Sequence, residues 1–248
     1  MNKIAKALDK VSSPKKKGGG GGINPRDVLQ LKKAHLDKNR ILLGMNNPEV
    51  EDYYSLLRTQ LLQRTKEQGH NVIMLTGALP HEGVTLTSIN LAISIAKELD
   101  QYCLLVDTHL RRAVIDDYLG FKVDKGLSDY LLRDTPIYDL TVRVGLEKLS
   151  VLPAGKPITG STEVLGSPKM FELVQEMKER YPDRYVIFNC PPLLTSPDAL
   201  VFSTYVDAII LVVEARRTRR DQIMKALELL EGRNVLGTVL NKAIETIV

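Results

Sequence analysis

The sequence predicts an α/β fold, a mostly parallel twisted sheet flanked by helices, and three observations lead there. Short apolar segments recur along it: NVIMLT (71–76), YCLLVD (102–107), LSVLP (149–153), RYVIFN (184–189), DAIILVV (207–213) and NVLGTVL (234–240). They are continuous β-branched runs rather than apolar–polar alternations, which marks strands covered on both faces. Helix-patterned segments lie between most of them, notably 85–99, 167–180 and 219–231. Strands and helices in alternation imply parallel strands joined by right-handed crossovers.

In chain order, residues 1–23 read as a flexible basic arm and residues 24–248 as one α/β domain. Ile4, Leu8 and Val11 share one face of a short helix over 1–11, and SSPKKKGGGGG (12–22) is a linker with little to bury. A helix that short does not persist alone; it is either a docking peptide or a loose end. A helical pattern follows around DVLQLKKAHL (27–36), then the apolar piece RILLGM (40–45). In PEVEDYYSLLRTQLLQRTK (48–66), Val50, Tyr54, Leu57, Leu61 and Leu62 recur at helical spacing behind a Pro48–Glu49 start.

Composition narrows the class. Hydrophobic residues make up 44% of the 248, ample for a core. Apolar runs such as AIILVV (208–213) fall far short of the roughly 20 residues a membrane span needs. The start MNKIAKALDK lacks the apolar stretch of a secretory signal, and Cys103 and Cys190 read as buried free thiols. A cytoplasmic protein is expected. Residues 1–40 hold 11 Lys/Arg against 3 Asp/Glu (+8), and the other 208 hold 23 against 27 (−4). The basic character therefore belongs to the arm, which suits nucleic acid, an anionic membrane surface or, more commonly, a solvated tail, and no nucleic-acid groove is expected on the body.

In a parallel sheet, ligands bind beyond the carboxyl ends of the strands. The first long strand runs into GALPHEGVT (77–85), where Gly77 and Gly83 bracket a turn ahead of a helix. Backbone N–H groups there can converge on a phosphate, and the Thr85 hydroxyl is placed for Mg²⁺. By itself the turn misses the G-x-x-x-x-G-K-[ST] pattern twice, with Ala78 for glycine and Val84 for lysine. The next strand ends in Asp107, a carboxylate straight after a buried run that suits a cleft holding metal or water. Another ends in Asn189, with Pro191-Pro192 stiffening the exit from the sheet.

Together these motifs resemble the bacterial tyrosine autokinases (BY-kinases), the cytoplasmic partners in exopolysaccharide and capsule export. That family lies in the deviant P-loop group with the partition and division-site ATPases. Its pattern A-x-P-x-E-G-K-[ST], D-x-D-x-R-R and D-x-P-P is met here by Ala78 to Thr85, Asp107 to Arg112 and Asn189 to Pro192. VLPAG (151–155), SPKMFELV (167–174), VEAR, LNK and YSLLRTQ (54–60) match as well, so the resemblance covers about 51–242. MNKIAKALDK and YPDRYVIF look most like the branch accompanying exosortase-linked polysaccharide systems.

The resemblance implies a nucleotide held by Pro80, His81, Glu82, Gly83, Val84 and Thr85, with Asn241 near the base. Mg²⁺ would be held by Thr85 and Asp107, the residual catalytic group. Three charged positions of the pattern are neutralised, however: Val84 replaces the lysine, His109 the second carboxylate and Asn189 the third. Loss of one partner of a desolvated charge pair costs roughly 2–5 kcal/mol, and loss of a transition-state donor about 10²–10³ in rate. Since phosphoryl transfer rests on positioning and charge, ATP/ADP and Mg²⁺ binding is expected to be weakened. His81 and His109 are read as exposed loop residues. Lys156 and Lys169 are the conceivable substitutes for the missing lysine.

The ring-forming E-x-x-R-x-x-R motif appears as Asp52, Ser55 and Arg58, and the last tyrosine is Tyr205, so a family-like ring and tail autophosphorylation are both in doubt. The core pattern, Gly83, Pro191-Pro192 and Asp198 are kept. This selective loss fits a pseudokinase scaffold or regulator at the inner membrane, docked on a membrane-embedded polysaccharide chain-length/co-polymerase protein. It would form a homo-oligomer or a hetero-oligomer with an active homologue. Two alternatives stand beside it: an active ATP-dependent autokinase, and a partition-type positioning ATPase.

Overall fold

A computed structural model describes residues 28–180 and 183–243. The arm at 1–23, with its expected helix and linker, lies outside the described residues, as does the chain after 243. Among the described residues one sheet contains β1 (Val28–Leu29), β2 (Val72–Gly77), β3 (Tyr102–Asp107), β4 (Val142–Val144), β5 (Leu149–Leu152), β6 (Arg184–Asn189), β7 (Ala208–Glu214) and β8 (Val235–Asn241). Their spatial order is β1-β4-β5-β3-β6-β2-β7-β8, with every pairing parallel except the antiparallel β4–β5. The expected mostly parallel α/β sheet is present, and each of the apolar segments picked out above lies in it.

The central strands are apolar along their length because helices cover both faces. One core packs α1 (Lys33–Lys38), α2 (Pro48–Thr65), α3 (Val84–Ala96) and α4 (Ile115–Leu119) against Ile73, Leu75, Leu105 and Ile187. The other packs α5 (Leu127–Arg133), α6 (Ile137–Leu140), α7 (Ser161–Leu165), α8 (Pro168–Glu179), α9 (Pro197–Phe202) and α10 (Arg220–Leu229) against Met74, Val106, Val186 and Phe188. Helix starts follow the sequence chemistry: the Asn47 side chain accepts from Val50 N (3.3 Å) ahead of Pro48, and Ser167 from Met170 N (3.3 Å) ahead of Pro168.

Two short strands depart from the expected pattern. Val28 and Leu29, inside a segment with helical periodicity, instead pair with Arg143 and Val144, and the helix begins only at Lys33. Their backbone groups find ladder partners on the sheet edge, so tertiary pairing overrides a weak local preference. β4 has three residues and an Arg at its centre, too brief to register as an apolar run.

The order β3-β6-β2 brings the motif-bearing strands side by side. Asn189 is in register with both Asp107 and Leu75, so the carboxyl ends of all three strands meet at one edge.

Candidate functional site

The phosphate-loop turn follows β2 directly. Gly83 caps α3 in the left-handed region (φ 93°), and His81 is also left-handed (φ 69°). A Cβ at Gly83 would stand 1.8 Å from Asn241 Nδ2, so Gly83→Ala combines a clash with an unfavourable φ. It is expected to lower stability by about 1–3 kcal/mol, read as a fall in the urea midpoint at unchanged m-value.

Glu82 lies inside the turn rather than over it. Its buried carboxylate accepts from Leu79 N (2.8 Å) and from the Thr218 hydroxyl beyond β7. From the end of β8, Asn241 Nδ2 donates to Glu82 O (2.9 Å) and Lys242 Nζ to His81 O (2.8 Å). The turn is thus braced from the ends of two strands, β7 and β8. Pro80 and His81 form its exposed crest, and Val84 points down, only 9% exposed, into the core with Ile73 and Leu75.

Next to the turn, Asp107 is 0% exposed. Its Oδ1 accepts from His109 N (3.1 Å), His109 Nδ1 (3.0 Å) and Asn189 Nδ2 (3.4 Å); its Oδ2 accepts from Val114 N (2.9 Å) and Ile115 N (3.1 Å). Asn189, equally buried, also reaches Thr85 Oγ1 (3.4 Å) and His109 Nδ1 (3.2 Å), and its Oδ1 accepts from Ser88 (3.4 Å). The structure therefore brings Thr85, Asp107, His109 and Asn189 into one hydrogen-bonded cluster. Against expectation His109 is not a free loop residue: its ring is turned in on Asp107 with 19% of the side chain exposed. The ring supplies a nitrogen to a buried acceptor that would otherwise be less well satisfied.

A second buried carboxylate, Asp198, accepts from Ser161 Oγ (2.8 Å), Thr162 Oγ1 (2.5 Å) and Arg111 (3.2 Å), clamping α7 and α9 to the loop after β3. Burial pushes both carboxyls upward. Hydrogen bonds outweigh it, from His109, Val114 and Ile115 on Asp107 and from Thr162, Ser161 and Arg111 on Asp198, and both are held below the usual range. A depressed carboxyl stabilises the fold only while ionised. Its contribution is complete above the unfolded value near about 4 and is lost as pH falls through the lower folded value. The urea midpoint is expected to be flat from about pH 7 to 5 and to drop below about pH 4; a midpoint unchanged into that acid range would contradict the sign. Burial also pushes both cysteine thiols far up, as suits inert core residues.

The fit to Mg·ATP divides. The turn and the N-terminus of the 13-residue α3 suit a phosphate anion through backbone N–H groups. The metal position fits poorly, because both Asp107 oxygens already accept from the chain and Asn189 brings an amide N–H where a carboxylate would bind a cation. Among the described residues no cluster of three or more His, Cys, Asp or Glu is arranged for a metal. Of the substitute lysines, Lys169 is tied to α5 through Leu131 O (3.2 Å) and Asp134. The lysine that does reach the turn is Lys242, whose only sequence signal was the LNK at the end of β8.

No family model matches the sequence. Tyrosine-protein kinase CpsD of Streptococcus agalactiae is 29% identical over 202 residues, 80% of this chain and 85% of that protein. The chain is a relative of the bacterial tyrosine-protein kinases. Tyrosine-protein kinase YwqD of Bacillus subtilis is 28% identical over 206 residues, 82% of this chain and 86% of its own. Among solved structures, the kinase domain of Escherichia coli tyrosine kinase ETK superposes with a TM-score of 0.73 at 26% identity, covering 89% of this chain and 92% of that one.

Proposed function

We propose that this chain is a catalytically degenerate relative of the tyrosine kinases, a pseudokinase that acts as a scaffold or regulator in exopolysaccharide assembly. The observation that carries the proposal is the closed cluster at the strand ends. Asp107 and Asn189 satisfy each other, His109 and the 114–115 amides, while Val84 occupies the core where the pattern requires a lysine. Such a site grips the phosphates of ATP or ADP weakly through the backbone of Pro80 to Thr85, with Asn241 at the base side. It lacks the charges that phosphoryl transfer needs.

The partner in this proposal is a membrane-embedded polysaccharide co-polymerase, and the setting is the cytoplasmic face of the inner membrane. No helix among the described residues is long and apolar enough to cross a membrane. Ring assembly of the family type receives no support from Arg58, which donates to Ser94 O (3.0 Å) and pairs with Glu98 (2.7 Å) within one chain.

Calorimetry with ADP and ATP, with and without Mg²⁺, tests the proposal. Weak binding that Mg²⁺ leaves unchanged, with no release of phosphate, is expected. Turnover of ATP, or transfer of its γ-phosphate to a tyrosine, would establish the autokinase alternative instead; an ATP-driven dimer on sizing would establish the partition-type one.

A further inference from the structure

The two edges of the sheet are unequal. β1 offers two residues and β8 seven, and among the described residues β8 pairs only with β7. The Asn241 carbonyl accepts from Ala215 N, just past β7 (2.9 Å). Backbone groups alternate sides along a strand, so Val239 also turns its N–H and C=O toward β7, while Thr238 and Leu240 turn theirs outward. The first half of this edge is closed. A register shift falls where Ile209 and Ile210 meet Val235 and Gly237, and Arg64 Nη1 donates to Leu236 O (2.7 Å). The second half is bare. Thr238 and Leu240 are the partners of Leu211 and Val213, on the face that α10 covers, yet Leu240 is 63% exposed. No Lys, Arg, Asp, Glu or Pro occurs from Val235 to Asn241, so the usual devices that keep sheet edges apart are missing from the strand itself.

We propose that a second copy of this chain adds its own β8 here, antiparallel, about a two-fold axis at Val239. Thr238 of each chain then exchanges two hydrogen bonds with Leu240 of the other, and every outward group of both residues is satisfied. Val239 faces its own image at a non-hydrogen-bonded pair, where side chains come closest. Leu240 stands opposite the Thr238 methyl, and the two Leu240 side chains are diagonal neighbours on one face, within reach of each other. The new ladder stops short of Leu236, so Arg64 keeps its carbonyl. Lys242 comes opposite Leu236 of the copy, but its ammonium is turned back on Glu214 (3.0 Å) and His81 O (2.8 Å) rather than toward Arg64.

Other occupants fit less well. A head-to-tail contact with β1 of another copy offers only two residues and leaves further edges open, so it grows without closing, whereas β8 against β8 closes on itself. An unrelated extended segment would match the backbone groups, but nothing obliges it to bring an apolar side chain to Leu240. The copy does so by symmetry, and its strand carries no charge to set against a like charge. Thr238 and Leu240 belong neither to the phosphate-loop turn nor to the cluster around Asp107. The pairing therefore needs no nucleotide and stands whether or not the proposed function does, in contrast to an ATP-driven dimer of the partition type.

Light scattering on the full chain without nucleotide tests the pairing. The average mass should rise from one chain toward two with a Kd on the order of 10–100 μM, as suits a small contact. Leu240→Lys, at an exposed position, and Thr238→Pro, which removes only an outward N–H, should each weaken association at least about tenfold with circular dichroism unchanged. Leu56→Lys, comparably exposed (58%) on α2, should leave it unaltered. Cysteine variants read the register, since the native Cys103 and Cys190 are buried. Val239→Cys meets its image at a Cα separation of roughly 4.5 Å and should give a covalent dimer with oxidised glutathione. Leu240→Cys, whose image lies diagonally at roughly 7–8 Å, should not. A chain that stays single up to about 1 mM overturns the proposal. So does association that requires ATP, that survives both Leu240→Lys and Thr238→Pro, or that cross-links through Leu240→Cys in preference to Val239→Cys.

Discussion

Asp107→Ala is expected to remove about 3–5 kcal/mol of folding stability, although the motif resemblance reads this residue as a metal ligand. The carboxylate is wholly buried and accepts from the backbone N–H groups of His109, Val114 and Ile115 as well as from two side chains. Truncation leaves those buried donors without their acceptor. Asp107→Asn separates charge from shape. It keeps one acceptor but turns an NH₂ group toward either His109 and Asn189 or the Val114 and Ile115 amides, so most of the loss should remain. The urea midpoint of each variant measures this. A loss under about 1 kcal/mol for Asp107→Ala would mean that the bracing is not formed in solution.

Asn189→Asp should make stability depend on magnesium. The Asn189 amide nitrogen stands 3.4 Å from Asp107 Oδ1, with neither residue exposed. Exchanging that nitrogen for oxygen sets two carboxylates against each other away from water. One must take a proton or the pair must separate, at a cost of about 2–5 kcal/mol at neutral pH in the presence of EDTA. With the Thr85 hydroxyl alongside, the same change supplies the oxygen set that Mg²⁺ prefers. Millimolar Mg²⁺ should therefore raise the melting temperature of the variant and leave that of the parent chain alone. Equal stability of variant and parent in EDTA would show that residues 107 and 189 are not in contact. A variant that is destabilised but indifferent to Mg²⁺ would show that a paired carboxylate does not restore the metal position.

Much of this was legible before any coordinates. The apolar runs of β2, β3, β6 and β7 are buried on both faces as their composition implies, whereas the equally apolar run of β8 lies at the sheet edge with Leu240 63% exposed, and Pro48, Ser167 and Pro168 announce helix starts through capping chemistry acting over a few residues. The phosphate-loop turn was likewise visible as a local pattern, down to its missing lysine. β1 and β4 were not, because two- and three-residue strands are decided by the edge they pair with rather than by their own periodicity. His109 was misjudged for a similar reason: its exposure depends on a carboxylate two residues away that turns inward. Lys242 and Thr218 were not singled out at the turn they brace, since nothing near either in the chain points to His81 or Glu82.

The order of residues by itself determined the parallel sheet, the places where ligands would be sought, and the loss of three charges from one motif set. These follow from hydrophobic periodicity and residue chemistry, which act over short stretches of chain. Tertiary structure alone decided that Asp107 and Asn189 satisfy one another, that Val84 joins the core, and that Thr238 and Leu240 stand at an open sheet edge. Those outcomes depend on strand order and register, which join residues from different elements, many of them tens of positions apart, through the packing of the whole domain.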